Sequence, residues 1–279
     1  MTEPQTLSTS GASLRLYRDA PSWDGMRCAA IGGLVLEDRD AAAQLLADVA
    51  DTLQREDFQA VLGPMDGDTW HSYRTVTETD GSPTFALEPQ SGAHDHAALL
   101  TAGFEPVATY VSSRARLADT LGDVPVAIPG ITVTPWDGNG GEQLIGKLFA
   151  MSGSAFAGNH FFKPIGLDAF LALYRPILPM LDPRHILFAH TDGGDLVGFL
   201  FGYPDRLARD RRAAVLKTYA SGLRGVGHLL ADQYHRRAMA MGHVEVVHAL
   251  MHETNISKER SARHNARVFR RYALMGRRL

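Results

Sequence analysis

Apolar residues along this chain switch between two spacings, and each switch marks an element. Ala42, Leu45, Leu46, Val49 and Leu53 recur at helical spacing behind an acidic lead of Glu37, Asp38 and Asp40. Short β-prone runs at 14–17, 26–36 and 59–62 predict strands around that helix, and Gly63-Pro64 ends the last of them. Residues 84–87 read as another strand, 95–101 as a helix closed by Gly103, and 104–116 as a long strand. Residues 1–13 carry no pattern.

After residue 130 the rhythm starts again. A strand at 131–135 leads to helices at 142–151 and 167–174, the second broken by Pro176 and Pro179. Strands at 185–190 and 196–203 flank the turn Thr191-Asp192-Gly193-Gly194. A strand beginning at Ala213, a glycine loop, a helix to Gly242, a strand at 244–251, a short helix at 257–264 and a closing strand complete the chain. Residues 117–130 hold two prolines and two glycines among few bulky side chains. This stretch predicts a linker at 121–130 between domains at 1–120 and 131–279.

With 279 residues and 45% apolar content, the chain can bury a substantial core. A net charge of −3 with dispersed basic residues gives no reason to expect nucleic acid as a partner. The arginines of the tail, from Arg263 to Arg278, alternate with Val268, Phe269, Tyr272 and Leu274, as on a solvated strand face. One cysteine, Cys28, excludes an intrachain disulfide and fits a reducing compartment. Residues 1–13 lack a basic stretch followed by an apolar one, and no apolar run reaches membrane-spanning length, so cytoplasm is the expected location and no membrane partner is expected.

The chemistry concentrates at 213–230. An apolar strand ends in a loop with Gly222, Gly225 and Gly227, which runs into a helix anchored by Val226, Leu229 and Leu230. Such a junction points free N–H groups and the positive helix end at an anion, although the same glycines also make an ordinary tight turn. An internal repeat sharpens the choice. Leu45-Leu46-Ala47-Asp48 recurs as Leu229-Leu230-Ala231-Asp232, and residues 110–117 align without gaps on 272–279, Tyr110 on Tyr272. Where the second copy has its glycine loop, the first has Leu36-Glu37-Asp38-Arg39-Asp40, whose carboxylates neutralise the field an anion needs. Anion binding is therefore expected in the second copy, and a fragment from about residue 130 onward is expected to keep it.

The order of elements, together with Leu216-Lys217-Thr218, Arg224-Gly225-Val226-Gly227 and Asn255 after the 244–251 strand, resembles the GNAT (N-acetyltransferase) superfamily. Val197-Gly198-Phe199, Pro204-Asp205 and Arg271-Tyr272-Ala273-Leu274 are similar to a bacterial subgroup. The resemblance implies an α/β (α+β) fold of two tandem GNAT-like domains, each a mixed, mostly antiparallel sheet flanked by helices, the first degenerate. It implies acetyl-CoA or another acyl-CoA as co-substrate, no metal, and an amine of a small molecule or peptide as acceptor; a homodimer stays open. Leu216, Lys217, Thr218, Leu223, Arg224, Gly225, Val226, Gly227, His228 and Asn255 are the implied CoA contacts. Gly222 stands where the family pattern has Gln or Arg, and Tyr219 where it has proline.

Acyl transfer to an amine needs a base, oxyanion donors and an acid for the thiolate. The candidates are Glu253, His252 and Tyr219, with Asn159, His160 and Phe161 in a loop expected to cover the acceptor. The tyrosine that serves as acid in the family is missing: its place falls near Ser261 or Ala262. His248 and His252 share one strand face by parity, without a third ligand for a metal. The alternatives are a non-catalytic acyl-CoA sensor or scaffold, or a Fem-like aminoacyl or peptidyl transferase. A Rossmann site is disfavoured, because the 244–251 strand ends in Leu250-Met251-His252 without the acidic residue such a site requires.

Overall fold

The computed structural model describes residues 3–207, 210, 212–254, 256–263 and 265–279. The first half contains β1 (Gln5–Thr9), β2 (Ala12–Tyr17), β3 (Cys28–Leu36), α1 (Arg39–Arg55), β4 (Ala60–Gly63), β5 (Thr75–Thr79), α2 (Asp95–Thr101), β6 (Glu105–Arg116) and α3 (Leu117–Thr120). The second contains β7 (Ile131–Pro135), α4 (Gly141–Phe156), α5 (Leu167–Tyr174), β8 (Ile186–Thr191), β9 (Leu196–Pro204), β10 (Ala213–Ser221), α6 (Val226–Ala240), β11 (Glu245–His252), α7 (Ile256–Arg263) and β12 (Arg267–Arg278).

Most strands join one mixed sheet in the order β1-β2-β3-β4-β12-β6-β11-β10-β9-β8-β7, and β5 pairs with β12 outside that path. Two neighbouring pairs, β3·β4 and β10·β11, run parallel; the rest are antiparallel. The order shows that the halves exchange their long final strands. β12 lies against β4 of the first half, and β6 lies against β11 of the second. The repeat alignment lands on the exchange: Tyr110 faces Tyr272, with Val111↔Arg271 on one side and Thr109↔Ala273 on the other. Even the two register shifts, at Val268/Arg270 and Leu274/Met275, are symmetric about this pair. The sheet therefore has a local two-fold axis through Tyr110 and Tyr272.

Strand alternation sorts the core onto two faces. Ala214, Leu216 and Val246 pack with Val226, Leu230 and Tyr234 of α6. Val215, Val247 and Ala249 pack with Leu144, Ile145 and Leu148 of α4 and Phe170 of α5 on the other face. Leu45, Leu46, Val49 and Leu53 cover the first half in the same way, as the helical spacing predicts.

Two local expectations change. Residues 5–9 form an edge strand on β2 although their pattern is polar, because one face of an edge strand meets solvent. Residues 84–87 form no strand: Phe85 is buried as a plug and its N–H is held by Glu88 Oε2 at 3.2 Å, while the strand lies upstream at Thr75–Thr79. Residues 117–120 are helical, and the following segment is tied to α6 by Val126 N–H to Asp232 and Arg236 to the Gly122 carbonyl.

Candidate active site

β10 and β11 pair in parallel only from Ala213↔Glu245 to Leu216↔His248. Beyond that point β10 continues along β9 to Ser221, and β11 continues along β6 to His252. Each strand has an irregularity where they part: the β10 register skips Lys217, and β11 shifts between His248 and Met251, with Leu250 at φ 57°. The sheet therefore forks. A cavity of 1190 Å³ runs through the fork, reaching Ala231 and His235 of α6 on one face and Leu148 and Phe170 on the other. Its far wall comes from the first half, through Trp70 to Arg74 and Leu87 to Pro89.

The corresponding gap of the first half is closed. Met65 N–H bonds to the Ile31 carbonyl at 2.7 Å, and a Cβ on Gly32 would lie 2.6 Å from the Met65 carbonyl oxygen, so the chain fills its own fork. The helix starts differ to match. In α1, Asp38 accepts the Ala41 N–H at 2.8 Å and Asp40 sits in the first turn. In α6 no side chain caps, Gly225 takes φ 89°, and the amides of Leu223, Arg224, Gly225 and Gly227 make no hydrogen bond among the described residues. This N-terminus is open to an anion.

Leu216, Lys217, Thr218, Tyr219 and His228 line the cavity, whereas Leu223, Arg224, Gly225, Val226 and Gly227 form the loop and first turn beside it. Tyr219 packs on the α6 side, next to the cluster of Leu216 and Val226. Asn255 lies outside the described residues. Asn159 and His160 line the cavity; Phe161, at φ 60°, instead packs into the cluster around Tyr110.

His252 lines the cavity, its ring 5.0 Å from that of Tyr110 and stacked 6.2 Å from that of His160. Burial first, then the charges of His160 and Arg74, push its pKa down, so it is neutral near pH 7. Its Nδ1 accepts the Thr254 N–H at 3.2 Å, which assigns the proton of the neutral ring to Nε2. Glu253 is outside the cavity lining and is paired with Arg271 and Lys258. Hydrogen bonding with Thr109, then the Lys258 and Arg271 charges, hold its carboxyl below the usual range. His248 and His252 do not share a face. The irregularity between them turns His248 toward His235 of α6 and His252 toward Tyr110, so parity fails across it.

Four further features come from residues that sequence reasoning did not assign to catalysis. Lys217, expected as a cofactor contact, faces the cavity half-buried, and desolvation first, then the Arg74 charge, lowers its ammonium pKa to about 7. Ser261 stands in a buried chain: its Oγ lies 2.6 Å from His248 Nδ1 and 2.6 Å from Ser113 Oγ, and His248 Nε2 lies 3.0 Å from His235 Nε2. Its signal was visible, since it falls where the tyrosine is missing. Glu88 is fully buried between Arg270, at 2.5 Å, and the Tyr272 hydroxyl, which also reaches Ser112. Burial, then the Glu88 charge, drives the Tyr272 pKa far up, so it stays protonated and structural. Arg74 enters from the first half, and no sequence pattern marks it.

The chain matches no family model and no curated protein at the level of sequence. Solved structures do match. A tandem GNAT protein from the clavulanic acid biosynthesis pathway, solved without AcCoA, aligns at TM-score 0.58 and 15% identity over 96% of this chain and 78% of its own. A GCN5-related N-acetyltransferase from Sphaerobacter thermophilus aligns at TM-score 0.59 and 15% identity over 96% and 76%. At such identities the likeness establishes the fold.

Proposed function

We propose that this chain, whose fold is that of the tandem GCN5-related N-acetyltransferases, is an acyl-CoA-dependent N-acyltransferase with one active copy. The observation that carries the reading is the fork between β10 and β11, which joins an uncapped helix start on one face to a cavity lined by Leu148 and Phe170 on the other. The residues fit the donor. Amides of residues 223–227 and the Arg224 side chain would hold its pyrophosphate, and the free strand edges along the fork would hold its pantetheine arm. When bound, an acyl-CoA supplies an activated thioester carbonyl.

The chain supplies the proton transfers. Lys217, neutral in a large fraction near pH 7, would take the proton of the acceptor ammonium. The Lys217 position, which the β10 register skips, offers an amide to the developing oxyanion. As the C–N bond forms and the C–S bond breaks, the nitrogen would release its second proton to solvent in the cavity, and the leaving thiolate would gain one from Ser261, replenished through His248. His252, with its Nδ1 held, and Glu253, held by cations, would position the end of β11.

The test is thiol release from acetyl-CoA across a panel of amines. Release with at least one amine, lost in Gly225→Asp, is expected; acetyl-CoA binding without release across the panel would favour the non-catalytic sensor.

A further inference from the structure

We propose that the acceptor is an amine carrying a carboxylate, and that Arg74 of the first half binds that carboxylate across the cavity from the acyl donor. This rests on the acyltransferase reading and names its second substrate.

Arg74 is only 6% exposed, yet it lines the cavity. Its guanidinium lies 3.9 Å from the ring centroids of both Tyr73 and Tyr110. It donates from Nη1 to the Leu250 carbonyl at 3.3 Å, while its buried Nε has no hydrogen-bond partner. Among the described residues no carboxylate lies within ion-pair distance of it. The other buried arginine of this region, Arg270, has Glu88 at 2.5 Å. A desolvated cation without a counter-charge is costly, and two aromatic faces offset only part of that cost. The backbone is strained at the same residue: Arg74 holds φ 77°, a conformation rare outside glycine, fixed by its N–H to the Pro64 carbonyl at 2.8 Å.

The cavity around it lacks negative charge. Among the described lining residues Glu88 is the single acid, and Arg270 and Tyr272 already engage it. Arg74 therefore leaves this wall positive, which disfavours a plain ammonium and suits a molecule that brings its own anion. Arg74 shares the cavity with the proposed base, since Arg74, Lys217 and His252 all line it. A carboxylate bound at Arg74 would bring its attached amine into the cavity that Lys217 also lines.

The test uses the full chain with CoA and matched product pairs: the N-acetyl forms of the twenty amino acids, of β-alanine and of γ-aminobutyrate, each against its methylamide. At least one acid is expected to bind about 10- to 100-fold more tightly than its amide by calorimetry, as for a hydrogen bond to a charged partner. Arg74→Gln should abolish that preference and leave the acetyl-CoA melting shift intact. If Arg74→Gln does not fold, Arg74→Lys, which keeps the charge and loses the planar fork, should reduce the preference several-fold. No acid outperforming its amide, or a preference that survives Arg74→Gln, overturns the inference while the acetyl-CoA shift stands. Absence of that shift in the wild-type protein overturns the acyltransferase reading itself.

Discussion

Lys217 shows how one residue takes its role from the backbone around it. In the sequence it is one member of Leu216-Lys217-Thr218 and reads as a cofactor contact. In the structure, the register skip at Lys217 and the end of β11 pairing at His248 leave it half-buried at the fork, where desolvation brings its pKa down to about 7. A base must be neutral to act, so kcat/KM is expected to rise with pH through about 7 and level off above it. Lys217→Met should lower kcat by about 10²- to 10⁴-fold and remove that limb, whereas His252→Asn should keep it; the pH-rate profiles of both variants check this. An unchanged limb in Lys217→Met would assign the base elsewhere. Part of the constellation was legible in the sequence: the place of Ser261 and the glycine loop could be read directly. Arg74 and Glu88 could not, since they reach the cavity through turns whose sequences carry no periodic signal.

At the scale of elements, the proposed anion site depends on how closely α6 lies on the sheet. Glycines on β9 permit that approach. A Cβ on Gly202 would come within 2.4 Å of the Tyr234 hydroxyl, and one on Gly198 within 2.9 Å of Val226. Tyr234 is fully buried and donates to the Val215 carbonyl at 2.7 Å; His185, kept neutral by burial that lowers its pKa to about 4, lies 3.2 Å away. Gly202→Ala is expected to cost about 1–3 kcal/mol by overpacking. A lower urea midpoint at unchanged m-value would show it, and an unshifted midpoint would mean that α6 can move away freely. A helix with strong periodicity, such as α1, was readable from the sequence because one face of it is buried. Strand β1 and the plug at Phe85 were not, because edge pairing and local side-chain caps override pattern there.

The whole molecule is organised by the strand exchange about Tyr110 and Tyr272. The repeat could be read from the sequence, and its gap-free match at 110–117 and 272–279 marks the two exchanged strands. Which half each strand joins was not readable, since both copies carry the same pattern and either pairing satisfies it. The exchange alters the expectation for a fragment of residues 131–279. That fragment lacks β6, the partner of β11, and deprives β12 of β4 and β6. It also loses the Trp70 to Arg74 wall of the cavity. Alone it should be poorly structured by near-ultraviolet circular dichroism, whereas co-expression with residues 1–130 should give a 1:1 complex that binds acetyl-CoA. A fragment that folds alone and binds as tightly as the full chain would contradict this.

One copy, and only one, keeps an open fork with an uncapped helix start. Calorimetric titration of the full chain with acetyl-CoA tests it most directly. The expected result is one site per chain, abolished by Gly225→Asp, which adds strain and a carboxylate at φ 89°, and unaffected by Asp38→Asn at the start of α1. Two sites per chain, or binding that survives Gly225→Asp unchanged, would contradict it.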